Sequence, residues 1–530
     1  MENERVLAMY DVRGIQKYIF RTAKVQDAIG ASAIVEDIIL DALKDAYRQV
    51  SQSGEPDLSG EFIWCDEEAP YEFKKELLKD VHVLFVGGGN AYVIFRDKKL
   101  CQRINELMSF YVMKKTYSLQ LAVAVTKCTG NYQKDYNSLH GQMSQTKADM
   151  IVSKPLGALP VMRTEVKTGY PMGPDGESVE TRIKKEKSVQ NLEGSSEKRK
   201  FDNYVTKKYV DSTLAVVHID GNNMGLRIRD RIENIVDYNE AVKEMRTISY
   251  HINYSFKRAF DKMEKHFNSK KTNNELPYFV RKILVAGDDI TYVCNGAIAL
   301  ASIEFFCREI SGQTMTGETD DLSIQKYGFS VCAGAAFMNS HFPFHIGYDV
   351  AEECCESAKE RAKDGKNMDQ GRIGNFVDFH ICKNVHAQNL KLMRKREYQV
   401  GGKYTLLTRP YYISTENEGG LKVLNDKMFA FNRFKTMAKH FLNEENMPGS
   451  FVKELRNTYS QGENQMKLLI NFLVSRGWSF PDGESDAFDR KSGIAKWYDA
   501  LELLDYCEDL EVYDTEGRNG TVSTENNIAK

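Results

Sequence analysis

The sequence predicts an α+β protein in which two tandem ferredoxin-like units precede a mainly helical C-terminal region. Three observations support this fold class. The predicted elements follow the order β-α-β-β-α-β twice along the chain. In both copies a glycine-containing turn joins the second and third strands, as in a β-hairpin. With 530 residues, the chain is also too long for a single hydrophobic core.

The first unit is predicted to cover residues 1–150. Short apolar runs predict strands, and longer stretches with an apolar period near 3.6 predict helices. The strands are expected at 5–10, 81–86, 91–95 and 119–126, with a further short strand at 62–64, and the helices at 15–20, 31–50 and 100–114. The segment Gly87-Gly88-Gly89-Asn90 forms the predicted hairpin turn.

A charged and partly irregular connector, residues 151–211, leads into a second unit at residues 212–382. Its strands are expected at 214–219, 282–286, 290–294, 329–336 and 375–379, and its helices at 235–266, 297–310 and 345–363. The hairpin turn of this copy reads Ala286-Gly287-Asp288-Asp289.

Residues 383–530 are predicted to form a mainly helical region. It is expected to contain a hairpin of strands 404–407 and 411–414, and helices near 421–441, 451–459, 465–476 and 494–506. The polar residues from 515 onward are expected to be a disordered tail.

The composition narrows the class of protein. Hydrophobic residues make up 42% of the chain and charged residues 28%, which is usual for globular domains. We expect no membrane span, because no apolar run approaches about 20 residues. We expect a cytoplasmic location, because the N-terminus lacks the basic and apolar regions of a secretory signal. The net charge of -3 argues against a protein that coats nucleic acid.

Three aspartates are expected to meet at one edge of the second unit. Asp220 ends its first strand, whereas Asp288 and Asp289 lie at the tip of the neighbouring hairpin. Carboxylate oxygens suit Mg²⁺ or Mn²⁺, and two such ions can clamp the attacking and leaving oxygens of a phosphoryl transfer. We therefore interpret these aspartates as catalytic, metal-binding residues that act on a nucleoside triphosphate. The alternative is an ordinary hairpin turn, in which Gly and Asp are favoured.

Five neighbouring residues are candidates for nucleotide binding, each with a simpler explanation. Gly287 leaves the hairpin turn free of a β-carbon, and Gly221 belongs to the tight turn after the first strand. Asn223 can bond a base or a ribose, or cap the following helix. Lys359 and Lys363 share a helix face at i, i+4 spacing and can reach phosphates, although solvated surface lysines are equally common.

The first unit is expected to be a pseudo-catalytic copy. Asp11 stands where the second unit has Asp220, but Gly88 and Gly89 occupy the turn in which hairpin carboxylates are needed. These glycines leave room for a nucleotide. His218 shares a strand face with Asp220 and is interpreted as a packing residue rather than a catalytic one.

Taken in this order, the motifs resemble a known family, the palm-domain polymerase/cyclase large subunit of type III CRISPR effector complexes. The matching segments are DVRGIQKYIF at 11–20, GGGN at 87–90, DGNNMG at 220–225, AGDD at 286–289 and ESAK at 356–359. The resemblance implies two palm domains of the nucleotide cyclase (GGDEF-like) kind, metal and triphosphate binding at Asp220, Asp288 and Asp289, and Lys359 near the phosphates. Ala286 and Asn222 depart from the family pattern, so a stand-alone relative is an alternative.

The predicted function is an enzyme that converts ATP or another nucleoside triphosphate to a cyclic nucleotide or cyclic oligonucleotide, which the family uses as a second messenger in antiviral defence. The alternative is a catalytically weak palm pair that binds nucleotide or RNA as a scaffold, with CRISPR-type effector subunits as partners. A template-dependent polymerase is disfavoured, because the sequence has no recognisable fingers or thumb and no long basic channel for a duplex. The oligomeric state stays open, a homo-oligomer included.

Overall fold

The computed structural model describes residues 5–21, 24–52, 81–87, 89–150, 159, 161–166, 168–191, 213–270, 278–311, 328–364, 368–369, 372–384, 389–414 and 427–506. The expected strand at 62–64, Gly88, much of the connector and the expected tail from 515 lie outside these residues. Helices and several separate sheets make up the described chain, which confirms the α+β class.

The structure contains fourteen α-helices and sixteen strands within the described residues. The strands are β1 Val6–Arg13, β2 Val81–Gly87, β3 Asn90–Phe95, β4 Gln120–Lys127, β5 Thr213–Gly221, β6 Val280–Ala286, β7 Asp289–Asn295, β8 Val331–Asn339, β9 Met368–Asp369, β10 Arg372–Ile373, β11 Asn375–Ile381, β12 Gln399–Val400, β13 Tyr404–Thr405, β14 Tyr411–Ile413, β15 Phe488–Asp489 and β16 Ile494–Ala495. The helices are α1 Ile15–Phe20, α2 Val25–Gln52, α3 Lys98–Thr116, α4 Tyr132–Asp149, α5 Val179–Asn191, α6 Met224–Ile232, α7 Tyr238–Asn268, α8 Ala299–Ser311, α9 Phe344–Ala362, α10 Leu390–Glu397, α11 Phe431–Leu442, α12 Gly449–Tyr459, α13 Glu463–Ser475 and α14 Tyr498–Leu503. None of these helices is long and apolar enough to cross a membrane.

Two sheets share one strand order. The first sheet is β2-β3-β1-β4, and the second contains β6-β7-β5-β8 in the same arrangement, extended by β11 and β14. The register also agrees, because Asp11 lies opposite Asn90 in the first sheet and Asp220 lies opposite Asp289 in the second. In each hairpin the strand pairing shifts register at the same place, four residues before the turn begins. The repeat that the element order predicted is therefore present in the backbone.

Some helices were not predicted from the sequence, and for α4 and α5 the composition of the buried face explains why. α4 follows β4 as α9 follows β8, but only a few apolar side chains, such as Leu139 and Met143, interrupt its polar sequence. α5 lies within the predicted irregular connector, and its buried face consists of Glu180, Lys184 and Ser188. A helix whose buried face is polar has no apolar period to reveal it.

The two units pack face to face through equivalent elements. The guanidinium of Arg246 in α7 donates to the carbonyl oxygens of Val83 (3.0 Å) and Leu84 (2.5 Å) in β2, while α2 of the first unit packs on β6 of the second. Phe20 of α1 stacks on Tyr348 of α9, with ring centroids 3.4 Å apart. Each unit thus covers the outer hairpin strand of the other, and α1 of the first unit contacts α9 of the second.

The C-terminal region differs from the prediction at its first hairpin. β13 pairs with β12 and β16 in a small sheet, whereas β14 joins the edge of the large second sheet, so the predicted hairpin of 404–407 with 411–414 is wrong. Backbone N–H groups of Thr408 and Arg409 between the two strands donate to Asp499 in α14. Because these N–H groups bind the distant carboxylate of Asp499, the segment between β13 and β14 does not form a hairpin turn. The last predicted helix also begins only at Tyr498, because β16 precedes it.

Candidate active site

The three predicted carboxylates lie at neighbouring strand ends. Asp220 is the penultimate residue of β5 and is paired in register with Asp289, the first residue of β7. Asp288 stands in the two-residue turn between β6 and β7. The side chains of Asp220 and Asp289 are 26% and 21% exposed, so they are reachable from solvent but partly desolvated. The backbone therefore produces the convergence that the sequence predicted.

Charge repulsion marks this cluster. Burial, followed by the negative charge of Asp220, raises the pKa of both Asp288 and Asp289 to about 7. Like charges held together disfavour full ionisation, and a bound cation reverses that effect. A positive charge placed beside these carboxylates would lower their pKa, because it favours the ionised form.

Lys359 supplies a positive charge at this cluster. It lies in α9, and its ammonium forms an ion pair with Oδ2 of Asp220. Burial alone would lower the pKa of Lys359, but Cys355 and Asp220 together raise it, so the ammonium stays charged. Lys363 is exposed at the C-terminal cap of the same helix, one turn further on. The structure brings Lys359 into the site and leaves Lys363 at the surface.

His218 is a buried residue whose ring lies next to the carboxylate of Asp289. Its Nδ1 lies 3.1 Å from Oγ1 of Thr291 and 3.6 Å from Oδ1 of Asp289. Burial lowers the pKa of His218 to about 4, so the ring is neutral at physiological pH. The ring also lies edge-on to Tyr348, with centroids 5.7 Å apart. These contacts agree with the predicted packing role.

The two glycines of the site serve different purposes. Gly287 has φ +65° and a β-carbon built on it would meet nothing within 4 Å, so glycine is favoured there by the turn conformation. A β-carbon on Gly221, by contrast, would lie 2.8 Å from Cβ of Asp288. The missing side chain at 221 is what allows Asp288 to sit beside the end of β5.

A Gly221→Ala substitution should therefore displace Asp288 and impair any chemistry at the site. We expect product formation to fall about 100-fold, the effect of a misplacement near 1 Å, as measured by initial rates of pyrophosphate release. Gly225→Ala is the matched control, because a β-carbon there meets nothing within 4 Å and residue 225 lies in α6. Equal rates for the two variants would show that the position of Asp288 is not critical.

The two asparagines after Gly221 differ in what their side chains contact. Asn223 adopts the left-handed conformation (φ 58°) that starts α6, and its side chain makes no capping hydrogen bond. The buried amide of Asn222 donates to Oγ of Ser330 (3.2 Å) and to the carbonyl oxygen of Gly374 (3.0 Å). A carboxylate could not donate to that carbonyl. The departure from the family pattern at 222 thus has a local packing reason.

The equivalent place in the first unit lacks carboxylates at the hairpin. By register, Asn90 stands where the second unit has Asp289, and Gly89 stands where it has Asp288. Lys147 of α4 pairs with Asp11 at 2.5 Å, as Lys359 of α9 pairs with Asp220. Gly89 has φ +79°, and a β-carbon on it would lie 2.6 Å from Cδ1 of Ile15. The hairpin turn of this unit is therefore packed against α1.

The donor chemistry of the second unit fits a divalent cation. Asp220, Asp288 and Asp289 offer hard carboxylate oxygens, and Oδ1 of Asp289 is buried without a hydrogen-bond partner. In the conformation seen, the ammonium of Lys359 is paired with Asp220. Across the described chain, no three His, Cys, Asp or Glu side chains are spaced closely enough to hold a metal ion as they stand. A cation at these aspartates would therefore take over the neutralising role of the ammonium.

No protein-family model and no curated protein matches the chain. Among solved structures, the chain is similar to Csm1 in a Csm1-Csm4 cassette in complex with cA4 and in a Csm1-Csm4 subcomplex of the type III-A CRISPR-Csm interference complex, both at TM-score 0.51 and 14% identity. It is also similar to the cassette in complex with one ATP, at TM-score 0.50 and 13% identity. Each match covers 95% of this chain and 70% of the other. The chain therefore has the fold of Csm1, which confirms the resemblance that its motifs predicted.

Proposed function

We propose that this protein is a nucleotidyltransferase of the cyclase type, which joins ATP or another nucleoside triphosphate into a cyclic nucleotide or cyclic oligonucleotide. The observation that carries the proposal is the cluster of Asp220, Asp288 and Asp289 at paired strand ends, with Lys359 beside it. The complexes of Csm1-Csm4 cassettes with cA4 and with ATP support this substrate class, because those proteins share the fold.

Each site residue has a chemical role in this proposal. The three aspartates would hold Mg²⁺ or Mn²⁺, which when bound supplies Lewis-acid charge neutralisation at the transferred phosphoryl group. Lys359 is released from Asp220 and binds a phosphate oxygen instead. Gly221 gives Asp288 its position, and the neutral His218 supports Asp289 from below without exchanging a proton.

The two repeated units are then tandem palm domains of the GGDEF-like kind. Residues 1–150 form a degenerate palm and residues 212–382 the catalytic one, joined by the connector 151–211 and followed by the C-terminal region 383–530. The packing of α1, which contacts Gly89 of the first palm and Tyr348 of the second, supports a role in shaping a shared pocket. The product would act as a signal in antiviral defence, with RNA and CRISPR-type effector subunits as partners.

The direct test is product analysis. Purified protein is mixed with each nucleoside triphosphate and either Mg²⁺ or Mn²⁺, and products are identified by mass spectrometry. Cyclic product and pyrophosphate from at least one nucleotide would support the proposal. Absence of product with every nucleotide, with and without added RNA, would contradict it.

One observation favours a second candidate function, a scaffold that binds nucleotide without turnover. Asp220 is already paired with Lys359, so one of the three carboxylates is neutralised without a metal. In that case ATP binding, measured by calorimetry, would persist while no pyrophosphate is released. The two candidates therefore differ in a single measurement.

Replacing Lys359 by methionine tests its proposed phosphate contact. Loss of a hydrogen bond to a charged group is expected to weaken ATP binding about 10- to 100-fold, measured as a dissociation constant by calorimetry. Lys363→Met is the matched control, since Lys363 is exposed one turn further along the same helix. If both variants bind ATP like wild type, neither lysine contacts the phosphates.

A further inference from the structure

A side chain of the first unit contacts the carboxylate cluster of the second unit. Gln16, in the second position of α1, donates from Nε2 to Oδ2 of Asp289 at 3.4 Å. The two residues lie far apart in the chain, and Gln16 itself is exposed. Burial does not force the side chain to this place, so the contact depends on where the backbone of α1 is held.

The same short helix supports Asp289 from its other side as well. Phe20 stacks on Tyr348 nearly in parallel, with an interplanar angle of 9°. Tyr348 in turn lies edge-on to His218, whose Nδ1 is 3.6 Å from Oδ1 of Asp289. One oxygen of this carboxylate thus faces Gln16 directly, and the other faces a ring that is packed indirectly against α1.

The connector helix α5 fixes the end of α1. The ammonium of Lys184 donates to the carbonyl oxygen of Tyr18 (2.6 Å) and to Glu180 (2.7 Å), and Arg21 pairs with Glu180 at 3.0 Å. The side chains of Lys184 and Glu180 are 2% and 0% exposed. A buried pair with its hydrogen bonds satisfied tolerates little movement, because breaking it leaves an uncompensated charge.

Close packing completes this support. A β-carbon on Gly30 of α2 would lie 1.8 Å from the carbonyl oxygen of Lys184, so α5 rests directly on the backbone of α2. α5 is therefore held between α1 and α2 of the first unit. Its buried polar face has a specific task, which is to hold α1 in place.

We propose that Gln16 is a positioning residue that orients the Asp289 carboxylate for a divalent cation, so that the first unit contributes a side chain to the site of the second. This inference rests on the proposed function and names a residue that acts through Asp289. Groups that orient a metal ligand commonly matter almost as much as the ligand itself.

The test compares Gln16→Ala and Gln16→Glu with wild type. Mn²⁺ affinity is measured without nucleotide by electron paramagnetic resonance, and kcat and KM for ATP are measured separately. We expect Gln16→Ala to lower Mn²⁺ affinity and kcat about tenfold with KM unchanged. Gln16→Glu, which places a second carboxylate against Asp289, should weaken kcat further. This order separates positioning from a structural role, because Glu has nearly the shape of Gln and is an equally good helix former.

The control is Lys17→Ala, the next exposed position of the same helix. It should leave Mn²⁺ affinity, kcat and thermal unfolding as in wild type, and Gln16→Ala should unfold at the same temperature. Mn²⁺ affinity of Gln16→Ala within about twofold of wild type would overturn the inference. A raised KM with normal Mn²⁺ affinity would also overturn it, since Gln16 would then contact the nucleotide. Failure of wild type to bind Mn²⁺ would instead remove the proposed function, and this inference with it.

Discussion

Replacing Asp288 and Asp289 together by asparagine is expected to reduce cyclic product formation at least about 1,000-fold. The substitution keeps the size of both side chains but removes two of the three negative charges that would bind the cation. The measurement is the initial rate of pyrophosphate release with ATP and Mn²⁺, with products resolved by mass spectrometry. A variant that retained a tenth or more of the wild-type rate would contradict the assignment of these aspartates.

A stability measurement on the same variant shows whether it is folded. The pKa of both aspartates is raised to about 7 in the folded protein, above the usual 3.8 that applies when unfolded. Between these pH values the folded protein holds protons that the unfolded chain has lost, so this contribution to stability falls as pH rises through the window. Asparagine does not titrate. In EDTA, the unfolding temperature of the variant should therefore rise relative to wild type between pH 5 and pH 8, and a constant difference would show that the pKa of these carboxylates is not raised in the folded protein.

Replacing Arg409 by methionine is expected to destabilise the C-terminal region by about 3–5 kcal/mol. The guanidinium is fully buried, pairs with Glu502 at 3.0 Å and Asp499 at 3.5 Å, and lies over the ring of Phe379, 4.3 Å from its centroid. Burial would raise the pKa of Glu502, and Arg409 is the largest influence that lowers it. Without the guanidinium, buried carboxylates would lose their compensating charge.

Urea unfolding followed by tryptophan fluorescence measures this loss, because Trp497 is buried in the same region. Lys383→Met is the matched control. Lys383 also pairs with Glu502, at 3.5 Å, but its side chain is 58% exposed, so its removal should cost less than about 1 kcal/mol. Similar free energies for both variants would mean that the buried cluster contributes no more than a surface pair.

The candidate site could be predicted because its signals are local. A short continuous apolar run places Asp220 at a strand end, and Gly287 marks the hairpin turn that carries Asp288 and Asp289. Antiparallel pairing then brings these residues together without further information. The repeated element order similarly predicts the shared strand order of the two sheets.

The remaining features depend on contacts between distant segments. No local pattern places Gln16 beside Asp289, because that contact depends on how the two units pack. The carboxylate of Asp499 separates β13 from β14, although the intervening sequence is typical of a hairpin. The sequence of α5 shows no apolar period, because this helix buries Lys184 and Glu180 rather than apolar side chains. A buried polar group needs a specific hydrogen-bond partner, and the pattern of residues along the sequence does not reveal which residue that partner is.

Asn222 shows how a motif departure is resolved only by structure. In the sequence it suggests a lost acidic residue and hence lost turnover. In the fold its amide donates to Gly374 and Ser330, which join the end of β5 to the strands beside it. The three aspartates that carry the proposal are other residues, so the proposal does not depend on a carboxylate at position 222.

The most direct measurement of the central claim is a crystal structure of the protein with Mn²⁺ and a non-hydrolysable ATP analogue, with manganese located by anomalous scattering. The proposed function predicts a manganese peak ligated by Asp220, Asp288 and Asp289, the triphosphate beside it, and Lys359 moved from Asp220 to a phosphate oxygen. A bound nucleotide with no manganese at these aspartates, and Lys359 still paired with Asp220, would contradict it.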